Sequence, residues 1–215
     1  MYAAPMNLLF DLDGTLADPF EAFSTSLFAA FGQLGLKPPP DKDIRACIGP
    51  PIQKSVVFLL GERYTELGEK FISLYRQHHT DIGIFKYRFF SEIDDVLPEL
   101  QKKHRLYVAT SKPRVLAEKV IKHFGKDKYF EKIYGPELNG LRADKADLLS
   151  HLLTLEKLNA KDCVMIGDRE HDIFAAQKNH IDSIGVLWGF GPREELEKAK
   201  ANNIVSTWSE LLELC

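Results

Sequence analysis

A chain of 215 residues, 45% of them hydrophobic, is long enough for one large domain, or for a main domain with a smaller one, around a real core. Its formal net charge of −3, with Lys and Arg scattered rather than clustered, argues against a nucleic-acid partner. No run of about 18 apolar residues appears, and no basic region precedes the short apolar run at the N-terminus, so neither a membrane span nor a signal peptide is expected.

The first element is the strand NLLF at 7–10, which runs directly into DLDGT. From there to residue 84 only helical patterns appear: FEAFSTSLFAAFGQLG, DKDIRAC, PIQKSVVFLLG and RYTELGEKFISLYRQHHT. Breakers divide them, KPPPD at 37–41 and IGPP at 48–51. A helical insert over 17–84 is the simplest account. Its two connections would lie side by side, an arrangement expected to make a movable cap over the strand ends.

From residue 92 onward helix and strand alternate. EIDDVLPELQKK reads as helix, RLYVAT as strand, PRVLAEKVIKHFG as helix and KIYG as a short strand. DKADLLSHLLTLEKL then reads as helix, CVMIG as buried strand, REHDIFAAQKN as helix, SIGVLW as strand and PREELEKAKAN as helix. Such alternation implies right-handed crossovers onto a mostly parallel sheet. The expected fold is therefore α/β, a Rossmann-like sheet with helices on both faces built from 1–16 and 85–215, plus the all-helical insert. Cys47, Cys163 and Cys215 are odd in number and share no metal-type spacing, so free thiols in a reducing, cytoplasmic compartment are expected.

Asp11 and Asp13 stand two apart at the end of the first strand, where strand alternation would aim both side chains to one side. Open α/β sheets bind ligands at that edge. Paired carboxylates persist where a cation lies between them or where one keeps a proton. A calcium loop starting at Asp11 would want glycine at its sixth position and glutamate at its twelfth, and the chain has Leu16 and Ala22 there. A plain Asp-Gly turn remains the other explanation.

Three further segments fall at or just past strand ends. VATSKP brings the Thr110 and Ser111 hydroxyls, suited to phosphate oxygens or, equally, to a helix N-cap. RADKADLL puts Lys145 at a helix start, where the dipole disfavours a cation, although an isolated lysine there is ordinarily solvated. IGDREHD places Asp168 at a strand end and Asp172 four residues on, a pattern that helix N-terminal acids also produce.

In this order and strand context, DLDGT, ATSKP, a lysine and GDREHD resemble the haloacid dehalogenase superfamily. GPELNGLRADKADLL, the segment from GDREHD to GPREEL, and IGPPI are similar to its phosphoglycolate-phosphatase-like branch with a helical cap. The resemblance implies Asp11 as nucleophile, Asp13 as general acid/base, Thr110 on the transferring phosphoryl group and Lys145 neutralising charge. It implies Mg²⁺ on Asp11, on the Asp13 carbonyl and on Asp168, with Asp172 in support. Substrate contacts would come from Gly14, Thr110, Ser111 and Lys145, and from Arg45 and Gly49 in the cap loop. Lys112 offers a second candidate for the lysine role.

The implied activity is Mg-dependent hydrolysis of a small-molecule phosphate monoester through an aspartyl-phosphate. Phosphoglycolate, nucleoside monophosphates, sugar phosphates and aryl esters stand as substrates, in a monomer or homodimer. A phosphosugar mutase uses the same residues. A phospho-accepting receiver domain is the non-enzyme rival, but it needs roughly half this length and no helical insert.

Overall fold

The structure is a computed structural model describing residues 4–215. The chain divides into two compact units, one of Met1–Ala17 with Phe89–Cys215 and one of Asp18–Arg88. The expected core assignment begins at residue 1, and its first three positions lie outside the described residues.

In chain order the strands are β1 (Asn7–Phe10), β2 (Ala17–Asp18), β3 (Arg88–Phe89), β4 (Arg105–Ala109), β5 (Lys132–Tyr134), β6 (Cys163–Gly167), β7 (Asp182–Val186) and β8 (Asn203–Val205). The helices are α1 (Phe20–Gln33), α2 (Asp41–Ala46), α3 (Ile52–Leu60), α4 (Tyr64–Asp81), α5 (Ile93–Gln101), α6 (Arg114–His123), α7 (Lys145–Glu156), α8 (Glu170–Lys178), α9 (Arg193–Lys198) and α10 (Trp208–Leu214).

The larger unit holds a six-stranded sheet of order β5-β4-β1-β6-β7-β8 whose pairings are all parallel. This is the Rossmann-like α/β architecture expected from the alternating pattern. Strand β1 lies near the middle, which is why NLLF carries no alternation: Leu8, Leu9 and Phe10 are all fully buried. Register fixes the functional edge. Phe10 pairs with Val108 of β4 and with Ile166 of β6. The residues that follow these strands therefore emerge along one carboxyl edge. The Asp11 N–H continues the ladder to Ile166 O at 2.9 Å, and the Thr110 N–H donates to Tyr134 O at 3.0 Å.

Three features depart from the expected element list. β8 and α10 complete the sheet edge and its cover, while NNIV and TWSELLEL show too little periodicity over so few residues to be read as such. The two-residue strands β2 and β3 pair with each other where the chain leaves and re-enters the larger unit. Finally, β1 stops at Phe10, so strand alternation does not carry to Asp13. Residues beyond it form a tight turn in which the Thr15, Leu16 and Ala17 N–H groups all donate to Leu12 O.

The smaller unit is mainly helical, with α1 packed on α4. Phe31 meets Phe71 edge-on with ring centroids 4.8 Å apart, and Phe23 meets Tyr75 at 5.6 Å. Leu27, Ala30 and Val56 complete a fully buried seam. Among the described residues, no helix is long and apolar enough to cross a membrane.

Candidate active site

The turn after β1 carries the central carboxylate. Asp11 is almost wholly buried, and one of its oxygens lies 3.0 Å from Lys145 Nζ. Lys145 reaches it from the first turn of α7, whose start is fixed by Asp144: its side chain accepts from the Ala146 N–H at 2.8 Å and the Asp147 N–H at 3.2 Å. The same ammonium pairs with Asp172, which lies in the first turn of α8 and also accepts from the Arg169 N–H at 3.0 Å. A lysine with side-chain exposure of 4% between two buried acids is not a solvated surface group.

Asp168, the first residue past β6, is equally buried. Its carboxylate accepts from the Phe190 N–H at 2.8 Å and from Thr15 Oγ1 at 3.3 Å. Two glycines make room for it. Gly14 has φ +88°, and a Cβ there, or one at Gly189, would overlap the Asp168 side chain. Thr110 is buried at the end of β4, and its Oγ1 accepts from the Lys112 N–H at 3.2 Å, forming the turn that Ser111 occupies. Asp13 lies across from that turn, with Oδ2 3.4 Å from Lys112 Nζ.

The electrostatics are dominated by burial. Desolvation pushes Asp168 up to about 8, with the Asp172 and Asp11 carboxylates adding to it. Asp11 is also raised, chiefly by burial, although Lys145 opposes the shift. Asp172 is held below the usual carboxylate range, because the Lys145 ammonium and the Arg169 N–H outweigh its desolvation. Lys145 is raised, its burial outweighed by Asp11 and Asp172.

Two of these three nearly inaccessible carboxylates, Asp11 and Asp172, thus share one lysine, with Asp11 Oδ1 facing that ammonium at 3.0 Å, and Asp13 Oδ1 is buried without a hydrogen-bond partner. Hard oxygen donors with surplus negative charge fit a divalent cation such as Mg²⁺. Among the described residues, Asp11, His171 and Asp172 have potential ligand atoms within 4.8 Å of one another. The Lys145 ammonium already sits on the Asp11 and Asp172 carboxylates of that group.

Of the residues expected at a site, the larger unit brings together Asp11, Asp13, Gly14, Thr110, Ser111, Lys145, Asp168 and Asp172. Arg45 and Gly49 belong to the smaller unit. There the Arg45 guanidinium stacks 4.0 Å from the Phe20 ring centroid, and Gly49 turns the chain at φ +103°. Four contributors escaped sequence reasoning: Thr15 and the Phe190 N–H on Asp168, Trp188, whose indole N–H donates to Thr15 O at 3.0 Å, and His171. The Nε2 of His171 is buried without a hydrogen-bond partner, 3.9 Å from Asp172 Oδ1. The glycine pair in GFG just past β7 was the available signal for the neighbouring Trp188. A histidine directly before Asp172 was the signal for the fourth.

Residues 8–186 match the family model described as haloacid dehalogenase-like hydrolase. A 5′-nucleotidase of Pseudomonas aeruginosa is 41% identical over 191 residues, covering 88% of this chain and 86% of the relative. Tyrosine-protein kinase PtkA of Mycobacterium tuberculosis is 33% identical, covering 98% of this chain and 72% of the relative. Among solved structures, a predicted phosphatase from Clostridium acetobutylicum superposes with a TM-score of 0.89 at 33% identity, covering 99% of this chain and 98% of the other.

Proposed function

The chain belongs to the haloacid dehalogenase-like hydrolase family, and on that premise we propose that it is a phosphatase that hydrolyses a small-molecule phosphate monoester through a phosphoryl intermediate on Asp11. One observation carries the reading: a buried carboxylate at the carboxyl end of a central parallel strand, 3.0 Å from a buried ammonium. An anionic nucleophile meets an anionic ester only where charge has been neutralised beforehand. The likeness to a 5′-nucleotidase over most of both chains supports phosphate chemistry.

In the proposed mechanism one Asp11 oxygen attacks phosphorus as the bond from phosphorus to the ester oxygen breaks. The Lys145 ammonium and the Thr110 hydroxyl hold the phosphoryl oxygens. Asp13 gives its proton to the leaving oxygen. In the second half Asp13 takes a proton from water, which attacks phosphorus and frees inorganic phosphate and the Asp11 carboxylate. Asp11, the Asp13 carbonyl and Asp168 would hold Mg²⁺, with Asp172 keeping Lys145 in place, and the ion supplies positive charge toward the transferring group.

Specificity is assigned to the smaller unit, with Arg45 and Gly49 as its substrate-directed residues. The three buried free cysteines support a reducing, cytoplasmic setting. The test is a panel with Mg²⁺: nucleoside 5′-monophosphates, phosphoglycolate, sugar phosphates and nitrophenyl phosphate, with ATP and a tyrosine peptide included. Phosphate release from at least one monoester, lost with a chelator and in Asp11→Asn, is the expected result. Isomer formation without phosphate release would assign a mutase instead, and transfer from ATP to the peptide would assign a kinase.

A further inference from the structure

Two lysines enter the site, and they address different acids. Lys145 serves Asp11 and Asp172. Lys112 comes from the turn after β4 with a side-chain exposure of 7%, close to the 4% of Lys145. An ammonium withdrawn from water to that extent is costly unless a carboxylate offsets it. Its Nζ lies 3.4 Å from Asp13 Oδ2.

The backbone under Lys112 has little freedom. Its N–H donates to Thr110 Oγ1 at 3.2 Å, and the next turn is tied down by the Arg114 N–H donating to Pro136 O at 2.9 Å. A Cβ at Gly135 would overlap the Lys112 carbonyl, so the two segments are in van der Waals contact. Asp13 is held from its own side by the tight turn, in which the Gly14 N–H donates to Ala17 O at 2.8 Å. The reach of the lysine is thus set by two fixed backbones.

The two oxygens of Asp13 are unlike. Oδ2 faces the Lys112 ammonium, whereas Oδ1 is buried with no hydrogen-bond partner. A proton-transfer group needs one oxygen free and aimed, and a carboxylate with both oxygens free would rotate between orientations.

We infer that Lys112 is a positioning residue for Asp13: it holds Oδ2 so that Oδ1 is the oxygen presented to the leaving group and to the attacking water. The inference rests on the reading of Asp13 as acid/base given above. It separates Lys112 from Lys145, because Lys112 acts through another side chain while Lys145 faces the phosphoryl group. Misplacement of a reacting group by about 1 Å costs on the order of 10²-fold, so the effect should be large on substrates that need the acid.

The test is a double-mutant cycle on the full-length, Mg-loaded chain with Asp13→Asn, Lys112→Met and the pair. Each is assayed on an alkyl phosphate, which leaves as a strongly basic alkoxide, and on nitrophenyl phosphate, which needs no acid. Lys112→Met should lower kcat on the alkyl phosphate by about 10- to 100-fold, leave KM and inhibition by inorganic phosphate unchanged, and keep a nitrophenolate burst of about one per enzyme. The burst also counts folded, competent sites. Lys112→Gln, which is shorter and polar but uncharged, should behave alike, and Lys112→Arg should recover part of the alkyl rate. Adding Lys112→Met to Asp13→Asn should cost nothing more, since the acid it positions is gone.

Multiplying losses in the double variant, or a raised KM and weakened phosphate inhibition on both substrates, would make Lys112 a direct phosphate contact and overturn the inference. If Asp13→Asn alone fails to separate the two substrates, the acid/base reading of Asp13 falls, and the inference falls with it. A clean separation by Asp13→Asn with none by Lys112→Met overturns the inference alone.

Discussion

Asp168 shows at the residue scale what the site costs the fold. In the metal-free chain its carboxyl is pushed up to about 8 from an ordinary 3.8 by burial and by the Asp172 and Asp11 carboxylates. Between those values the folded chain keeps a proton that the unfolded chain has lost, so stability falls as pH rises through that window. A divalent cation favours the ionised carboxylate and cancels the loss. Urea unfolding at pH 5 and pH 8, in EDTA and in excess Mg²⁺, should therefore show stabilisation by Mg²⁺ that grows with pH. Asp168→Asn should raise metal-free stability at pH 8 and abolish the Mg²⁺ response. Parallel curves at the two pH values would remove Asp168 from the cation site. Asp11→Asn should lower phosphate release by about 10³-fold or more, because an amide is a poor nucleophile; retained turnover would exclude Asp11 as the attacking group. The acids of this site were legible because each follows an apolar strand. Thr15 and the Phe190 N–H on Asp168 were not, since a threonine after glycine and a main-chain donor carry no pattern of their own. Lys112 was visible as a residue, but its partner is a matter of tertiary geometry across 99 positions.

At the element scale the site is made by register. Because β1 ends within one residue of β4 and β6, three unrelated turns deliver Asp11, Thr110 and Asp168 to one edge. The period-2 and period-3.6 signals place those elements in the sequence, and the glycines after them mark where backbone must come close. Gly14 is the sharper case, combining φ +88° with the Asp168 carboxylate where a Cβ would stand. Gly125, just past α6, has φ +65° and open space around it. Gly125→Ala should cost about 1–2 kcal/mol in stability and leave turnover intact. Gly14→Ala should cost at least as much and also remove activity and the thermal shift with Mg²⁺. Equal, purely thermal effects from both would mean that Gly14 serves the turn and not the acid. The elements that escaped were the short ones. The strand β8 has three residues and β2 has two, too few for any period to register, and tertiary pairing rather than propensity makes them strands.

At the scale of the whole molecule, the chain interrupts a parallel-sheet unit after its first strand and resumes it at Phe89. The helical stretch was legible from its breakers and its lack of alternating strands, whereas the short paired strands at its edges were not. By our proposal the division assigns chemistry to one unit and substrate choice to the other. By the same proposal Arg45, stacked on Phe20 in the smaller unit, meets a second anion on the substrate. Arg45→Ala should raise KM for substrates carrying a carboxylate or second phosphate and leave neutral aryl phosphates unchanged. Equal changes in both would leave Arg45 as packing on Phe20. All of this depends on Asp11 carrying the phosphoryl group, and that can be read directly. The Mg-loaded chain, acid-quenched during turnover of nitrophenyl phosphate, is reduced with borohydride, which converts an acyl phosphate to homoserine, and the peptides are sequenced by mass spectrometry. Homoserine at position 11 and at no other aspartate is the predicted result. Steady phosphate release with residue 11 recovered only as aspartate, or homoserine at position 13, would contradict the account.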